Sequence, residues 1–175
     1  MANSHSTLLT TEERRILYEV PVLNDIERNE YFTFTHDEIA KLHRFNQIDH
    51  AVYFAISLAF FKIKYTLVNF SYQAVTLERQ HVMQRYFPNQ ASLSSFPNDK
   101  NVIVRIENKV LDTVSFSRFR QATANKIISI LQDQASSYPR QRQLCKTFLN
   151  LLIKEKIAIP ALTTVQDCVS QIWNN

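Results

Sequence analysis

The chain has 175 residues, a formal net charge of +4, two cysteines and no glycine. A hydrophobic fraction of 45% with only 21% charged residues excludes bulk disorder and suits one domain or two small ones. Without glycine there is no phosphate-cradling glycine loop and no dinucleotide fingerprint, and Cys145 and Cys168, outside any CxxC pattern, argue against a zinc site or a disulfide framework.

The periodicity predicts helices almost throughout. Thr10 and Glu13 have capping-box spacing, so "TEERRILYEV" reads as a helix that ends at Pro21. A short helical piece is expected at residues 25–30. Thr35 and Glu38 repeat the box ahead of "HDEIAKLHRF". Asn46-Gln47 is a turn, and a helix buried on nearly all sides follows over 48–64. Its core, "AVYFAISLAFF", is far shorter than the ~20 apolar residues that cross a bilayer, so no membrane partner is expected. A helix over 72–86 stops before Pro88.

The segment "FPNQASLSSFPNDKN", 87–101, is rich in Pro, Ser and Asn and interrupts the pattern. "VIVRIENKVLDTV" begins with strand-like alternation but continues with Ile106, Val110 and Val114 at helical spacing, and reads as helix. Helices follow over 115–134, 139–156 and 163–172. Between the last two lies an apolar elbow, Ile157-Ala158-Ile159-Pro160, whose alternation suggests a short ribbon at most. Asparagines near the breaks are expected to supply the left-handed caps that glycine usually makes. The fold class is therefore all-α: two small helix-turn-helix-like bundles, 1–88 and 101–175, with 89–100 as linker.

Charge is uneven. Residues 1–88 hold 9 Lys/Arg against 10 Asp/Glu, and residues 89–175 hold 11 against 6. The basic half suggests an anionic partner, nucleic acid first. In the helix over 115–134, Arg118, Gln121, Asn125 and Ser129 share a face, and Arg, Gln and Asn can make bidentate bonds to base edges. A solvated face is the plainer account. In the next helix Arg142, Lys146, Asn150 and Lys154 recur every four residues, a stripe suited to phosphates or simply to the helix dipole.

Other residue sets carry no site. His36, His43 and His50 are seven apart, roughly 10 Å along a helix, too far to share one ion. Glu12-Glu13 and Asp37-Glu38 sit where first-turn acids complement the helix dipole. No nucleophile or metal cluster accompanies them, so no catalytic residue, metal or cofactor is expected.

Several blocks, in order, resemble the N-terminal region of Tn-three-family transposases. "LTTEERRIL" with Pro21 resembles the family's "LTxEER…L…P". "YFTFTHDEIAKL" resembles "YTLSxEDLxxI", and "FAISLAFFK" resembles "FAVQLCxLR". "RFRQATANKIISIL" falls where the family has an Arg-rich helix. "LLIKEKI" followed by "AIPALTTVQDCV" resembles its hydrophobic-x-hydrophobic-P-x-hydrophobic-S/T-T signature. The likeness spans nearly the whole chain and is weakest over 65–101. Where the family has "RRGxHNRLG", this chain has "RFNQIDHAVY", with Arg44 as its one arginine.

The resemblance implies the non-catalytic, DNA-binding part of a longer bacterial transposase, cut or ending near an inter-domain boundary. The metal-dependent DDE domain would lie downstream. The expected function is sequence-specific binding of double-stranded DNA at transposon terminal inverted repeats, by a cytoplasmic, nucleoid-associated protein that dimerises on DNA. Arg118, Arg120, Gln121, Asn125, Lys126, Arg142, Lys146 and Arg44 are the expected contacts, Arg118 and Asn125 at base edges and the other cations at phosphates. No small-molecule substrate is expected. The alternative is a helical protein-interaction or dimerisation module whose basic face is incidental.

Overall fold

Thr10 begins the first helix, α1 (Thr11–Tyr18), with the box its spacing predicts: its hydroxyl accepts from the Glu13 N–H at 3.1 Å, and its own N–H donates to the Glu13 carboxylate at 2.8 Å. The computed structural model describes residues 7–175. Among these residues the chain is all-α, with nine α-helices, two short 3-10 turns and a single parallel bridge between Ser117 and Ile157. It divides into two compact units.

The contiguous unit is Tyr18–Ser115. It contains α2 (Asp25–Tyr31), α3 (His36–Leu42), α4 (Ile48–Lys64), α5 (Thr76–Tyr86, preceded by a 3-10 turn) and α6 (Lys100–Val114). Asn24 with Glu27 and Thr35 with Glu38 complete capping boxes on α2 and α3. The central helix is α4. Every residue from Ala51 to Phe61 is buried, because α2, α3, α5 and α6 all pack on it. Phe54, Phe60 and Phe61 are each at most 1% exposed, and burial of such a side chain contributes about 1.5–3 kcal/mol. Glu38 and Lys62 pair across α3 and α4. Burial opposes ionisation of Glu38, yet Lys62 and the Thr35 N–H hold its carboxyl below the ordinary range.

Residues 87–99 have no regular structure, but they are not a loose spacer. The Tyr72 hydroxyl donates to the Leu93 carbonyl, and the Phe96 ring meets Tyr53, Phe70 and Tyr72 edge-on at 5.4, 5.8 and 5.2 Å. The segment straps α6 onto α4, where Ile106, Val110 and Leu111 are buried.

The second unit joins the chain up to Leu17 with Phe116–Asn175. Three helices pack on one another: α7 (Gln121–Gln134), α8 (Gln141–Lys154) and α9 (Leu162–Trp173). Ile127, Leu131, Leu144, Phe148, Val165 and Ile172 fill their core. The connection from α8 to α9, residues 155–161, is longer than the three- or four-residue turn of a helix-turn-helix. Here the elbow finds its partner: Ser117 donates to the Lys156 carbonyl and accepts from the Ala158 N–H, both at 2.8 Å. Ile157, Ala158 and Ile159 are buried as a result.

Three differences from the sequence expectations follow. The units do not divide at 89–100: α6 packs on α4, and α1 belongs with the C-terminal helices because Glu13 pairs with α8. The helix expected over 115–134 begins only at Gln121. Ser115 is left-handed at φ 58°, and Ser117 is committed to the bridge, so the chain is extended before α7. Among the described residues the left-handed positions are Tyr65, Ser115 and Lys156, not asparagines.

Candidate nucleic-acid interface

The charge asymmetry survives the new division. Tyr18–Ser115 carries 10 Lys/Arg against 11 Asp/Glu, while the rest of the chain carries 10 against 5. Both segments that changed sides, α1 and α6, are close to neutral, so the whole basic excess stays with the α7–α9 unit.

On α7 the core face is Ala124, Ile127, Ile128 and Leu131. Opposite it, Gln121, Asn125 and Ser129 are exposed at four-residue spacing, with Lys126 beside them. The Gln121 amide donates to the Asn125 side-chain oxygen at 3.2 Å, which pre-sets two groups able to read base edges. Arg118 and Arg120 are not on this face. Arg118 lies in the extended segment, half-buried and already engaged with a neighbour. Arg120 is the exposed N-cap residue, and its N–H donates to the Thr123 hydroxyl at 3.2 Å. The expected four-residue set therefore reduces to Gln121, Asn125 and Ser129, with Arg120 at its N-terminal end.

On α8, Leu144, Cys145, Phe148 and Leu152 are core. Burial pushes the Cys145 thiol up to about 11 and raises that of Cys168 too, so both sulfurs act as packing atoms. Arg142 and Lys146 project away from this core to the surface, where both are paired. Glu13 of α1 lies 2.6 Å from the Arg142 guanidinium and 3.4 Å from the Lys146 ammonium. The Glu13 carboxyl is held down to about 2, first by the Thr10 N–H and then, against a desolvation cost, by Arg142 and Lys146. Asn150 and Lys154 continue the stripe and are exposed. The sequence reading passed over Arg140, exposed at the N-cap of α8. Four-residue spacing from Arg142 skips it, whereas Pro139 just before it signals a helix start.

Arg44 stands in the other unit, exposed on the turn between α3 and α4. Of the three spaced histidines, His43 packs on the Phe87 ring at 5.1 Å and His50 lies 4.0 Å from Asp49. Among the described residues no group of three or more His, Cys, Asp or Glu could hold a metal ion, and no helix is long and apolar enough to cross a membrane.

The family profile described as "Domain of unknown function (DUF4158)" matches residues 8–172. The chain belongs to this family. No curated protein and no solved structure matches it. The matched span of the DUF4158 chain begins just before the Thr10–Glu13 box and ends inside α9, so it takes in both compact units.

Proposed function

We propose that this DUF4158 chain binds double-stranded DNA at transposon terminal inverted repeats, within the N-terminal part of a Tn-three-family transposase. The DUF4158 family is found in Tn-three-family transposases. The observation that carries the reading is the confinement of the basic excess to the three-helix unit, where α7 also presents Gln121 and Asn125. Helix α9 contains no lysine or arginine, so phosphate attraction falls to α7, α8 and the segments around them. In this reading Arg120, Lys126, Arg142 and Lys146 hold phosphates and the α7 amides face bases. The chain contributes binding, and strand transfer belongs to a DDE domain elsewhere in the transposase.

The test is an anisotropy titration of the whole chain with a terminal-repeat duplex and a scrambled duplex, each at two salt concentrations. Tighter binding of the repeat is expected, with a log–log salt slope of about −3 to −4.5 for three to five phosphate contacts. Absence of duplex binding at low salt would refute the reading.

A second reading, a protein-interaction module, is favoured by one observation. Val22 and Ile26, flanking the α2 cap, are 89% and 80% exposed. That reading expects concentration-dependent association, or capture of a protein partner, with no DNA titration.

A further inference from the structure

The Tyr18–Ser115 unit is close to neutral overall, yet one of its clefts is strongly basic. The turn after α3 and one face of α6 enclose about 340 Å³. Arg44 enters from the turn, and Arg105 and Lys109 enter from α6, one helical turn apart. Phe45 and Ile106 form an apolar wall. The Lys109 ammonium sits 4.5 Å from the centre of the Phe45 ring, which fixes its position by cation–π attraction. The Phe45 ring is itself held 5.2 Å from that of Phe54 in the core.

None of the three cations has an acidic partner among the described residues, and the Arg44 and Arg105 guanidiniums make no hydrogen bond there. Nearby carboxylates are otherwise placed. Asp49 lies beside His50, and Glu107 faces Tyr53, where burial first and the Glu107 charge second push the phenol up to about 12. Asp112 lines the adjoining hollow with Lys41, Arg44 and Lys109, without an ion pair to any of them. Arg142 and Lys146 in the other unit share a carboxylate, whereas these three cations converge on an open cleft with no anion of their own.

We propose that this cleft is a phosphate-binding site. A tetrahedral anion would accept from the two guanidiniums and the pre-positioned ammonium together, the arrangement that makes charge-assisted bonds short and strong. The phosphate is either a diester of duplex DNA or a smaller phosphorylated compound. The first source rests on the DNA reading above, while the site itself does not.

The experiment has two arms on the whole chain. In the first, inorganic phosphate is titrated against chloride at matched ionic strength, and amide resonances are followed by NMR. Shifts at residues 44–47 and 102–109 are expected with phosphate only. Arg105→Gln should weaken them by roughly tenfold, the loss of one charged hydrogen-bonding partner. In the second arm, duplex affinity is measured across a fourfold salt range for the wild type, Arg44→Gln and Lys109→Gln. Each lost diester contact should make the affinity fall about 3.5-fold less across that range. Arg44 is exposed on a turn, so Arg44→Gln remains informative if Lys109→Gln unfolds.

Phosphate-specific shifts together with the reduced salt response assign the site to DNA. Shifts with an unchanged salt response assign it to a smaller phosphorylated ligand. If the wild type binds no duplex, the DNA reading falls and the phosphate titration alone decides the cleft. Equal shifts with phosphate and chloride, or none, overturn the proposal.

Discussion

Glu13 and Arg142 are 129 residues apart in the chain and 2.6 Å apart in space. With Lys146 they form a local ion cluster that ties α1 to α8. The same contact offsets two cations of the α8 stripe, so Glu13 lowers the net positive charge that α8 presents.

Replacing Glu13 with glutamine should therefore raise affinity for any duplex and steepen the salt slope by one to two contacts, about −0.9 each. Glutamine keeps the acceptor that caps α1, so the helix start survives the change. The Glu13 carboxyl has a depressed pKa, about 2 against 4.5. Its contribution to pairing is present above pH 4.5 and lost as pH falls toward 2, so a neutral-pH assay sees the charge in full. Unchanged binding in Glu13→Gln would show that α8 is not the DNA surface.

The α7 face makes a separable claim. Asn125→Ala should weaken the terminal repeat by roughly 1–3 kcal/mol and relax preference over a scrambled duplex. Lys126→Ala should weaken both duplexes about equally and shallow the salt slope by about one contact. Exposed positions of this kind usually change stability by no more than about 0.5 kcal/mol, so circular dichroism melts should barely move. A uniform loss in Asn125→Ala would move base reading off α7.

His81 gives a pH test of the other unit. Its Nε2 is buried without a hydrogen-bond partner, and its ring lies edge-on to Phe32 at 5.9 Å. Burial, then the Arg85 and Arg28 charges, lower its pKa below 6.5, with Glu78 opposing. The unfolded chain then takes up a proton that the folded one refuses. Stability is full above pH 6.5 and declines as pH falls through 6.5 toward the folded value. Urea midpoints at pH 7.5 and 5.5 should differ in the wild type and converge in His81→Phe. Parallel behaviour of the two proteins would remove His81 as the cause.

Ser115 closes α6 in the left-handed region, where a side chain costs about 1–2 kcal/mol. Ser115→Gly relieves that cost and gives back part of it as unfolded-state entropy. The expected gain is about 0.5–1 kcal/mol in urea unfolding. A loss would mean that the serine makes a contact that outweighs its backbone strain.

Much of this architecture was legible because its causes are local. The Thr10–Glu13 and Thr35–Glu38 boxes and the helix over 48–64 depend on residues three or four apart, and all three are present. What the sequence concealed depends on distant partners. Phe116, Phe119 and Thr123 imitate a helical stripe, yet a bridge to Ile157 holds the first of these segments extended. The alternation of Ile157–Ile159 was visible, but nothing local names Ser117 as its partner. The break at 87–101 was visible too, while its fastening by Phe96 and Tyr72 was not. The polar face of α7 was half legible: Gln121 and Asn125 are four apart on a true helix, but Arg118 was added by extending that helix too far. The cleft between the α3–α4 turn and α6 brings Arg44 to Arg105 and Lys109 across sixty intervening positions, which no periodicity reports.

Because α1 belongs with α7–α9, the order of synthesis differs from the order of completion. Residues 18–115 form a compact unit from one continuous stretch and can fold as soon as that stretch has left the ribosome. Glu13 is made before any of them, yet it waits 129 residues for Arg142. At 5–20 residues per second that is roughly 6–26 s, far longer than helix or hairpin formation takes. Through this interval the first helix remains without its eventual mate.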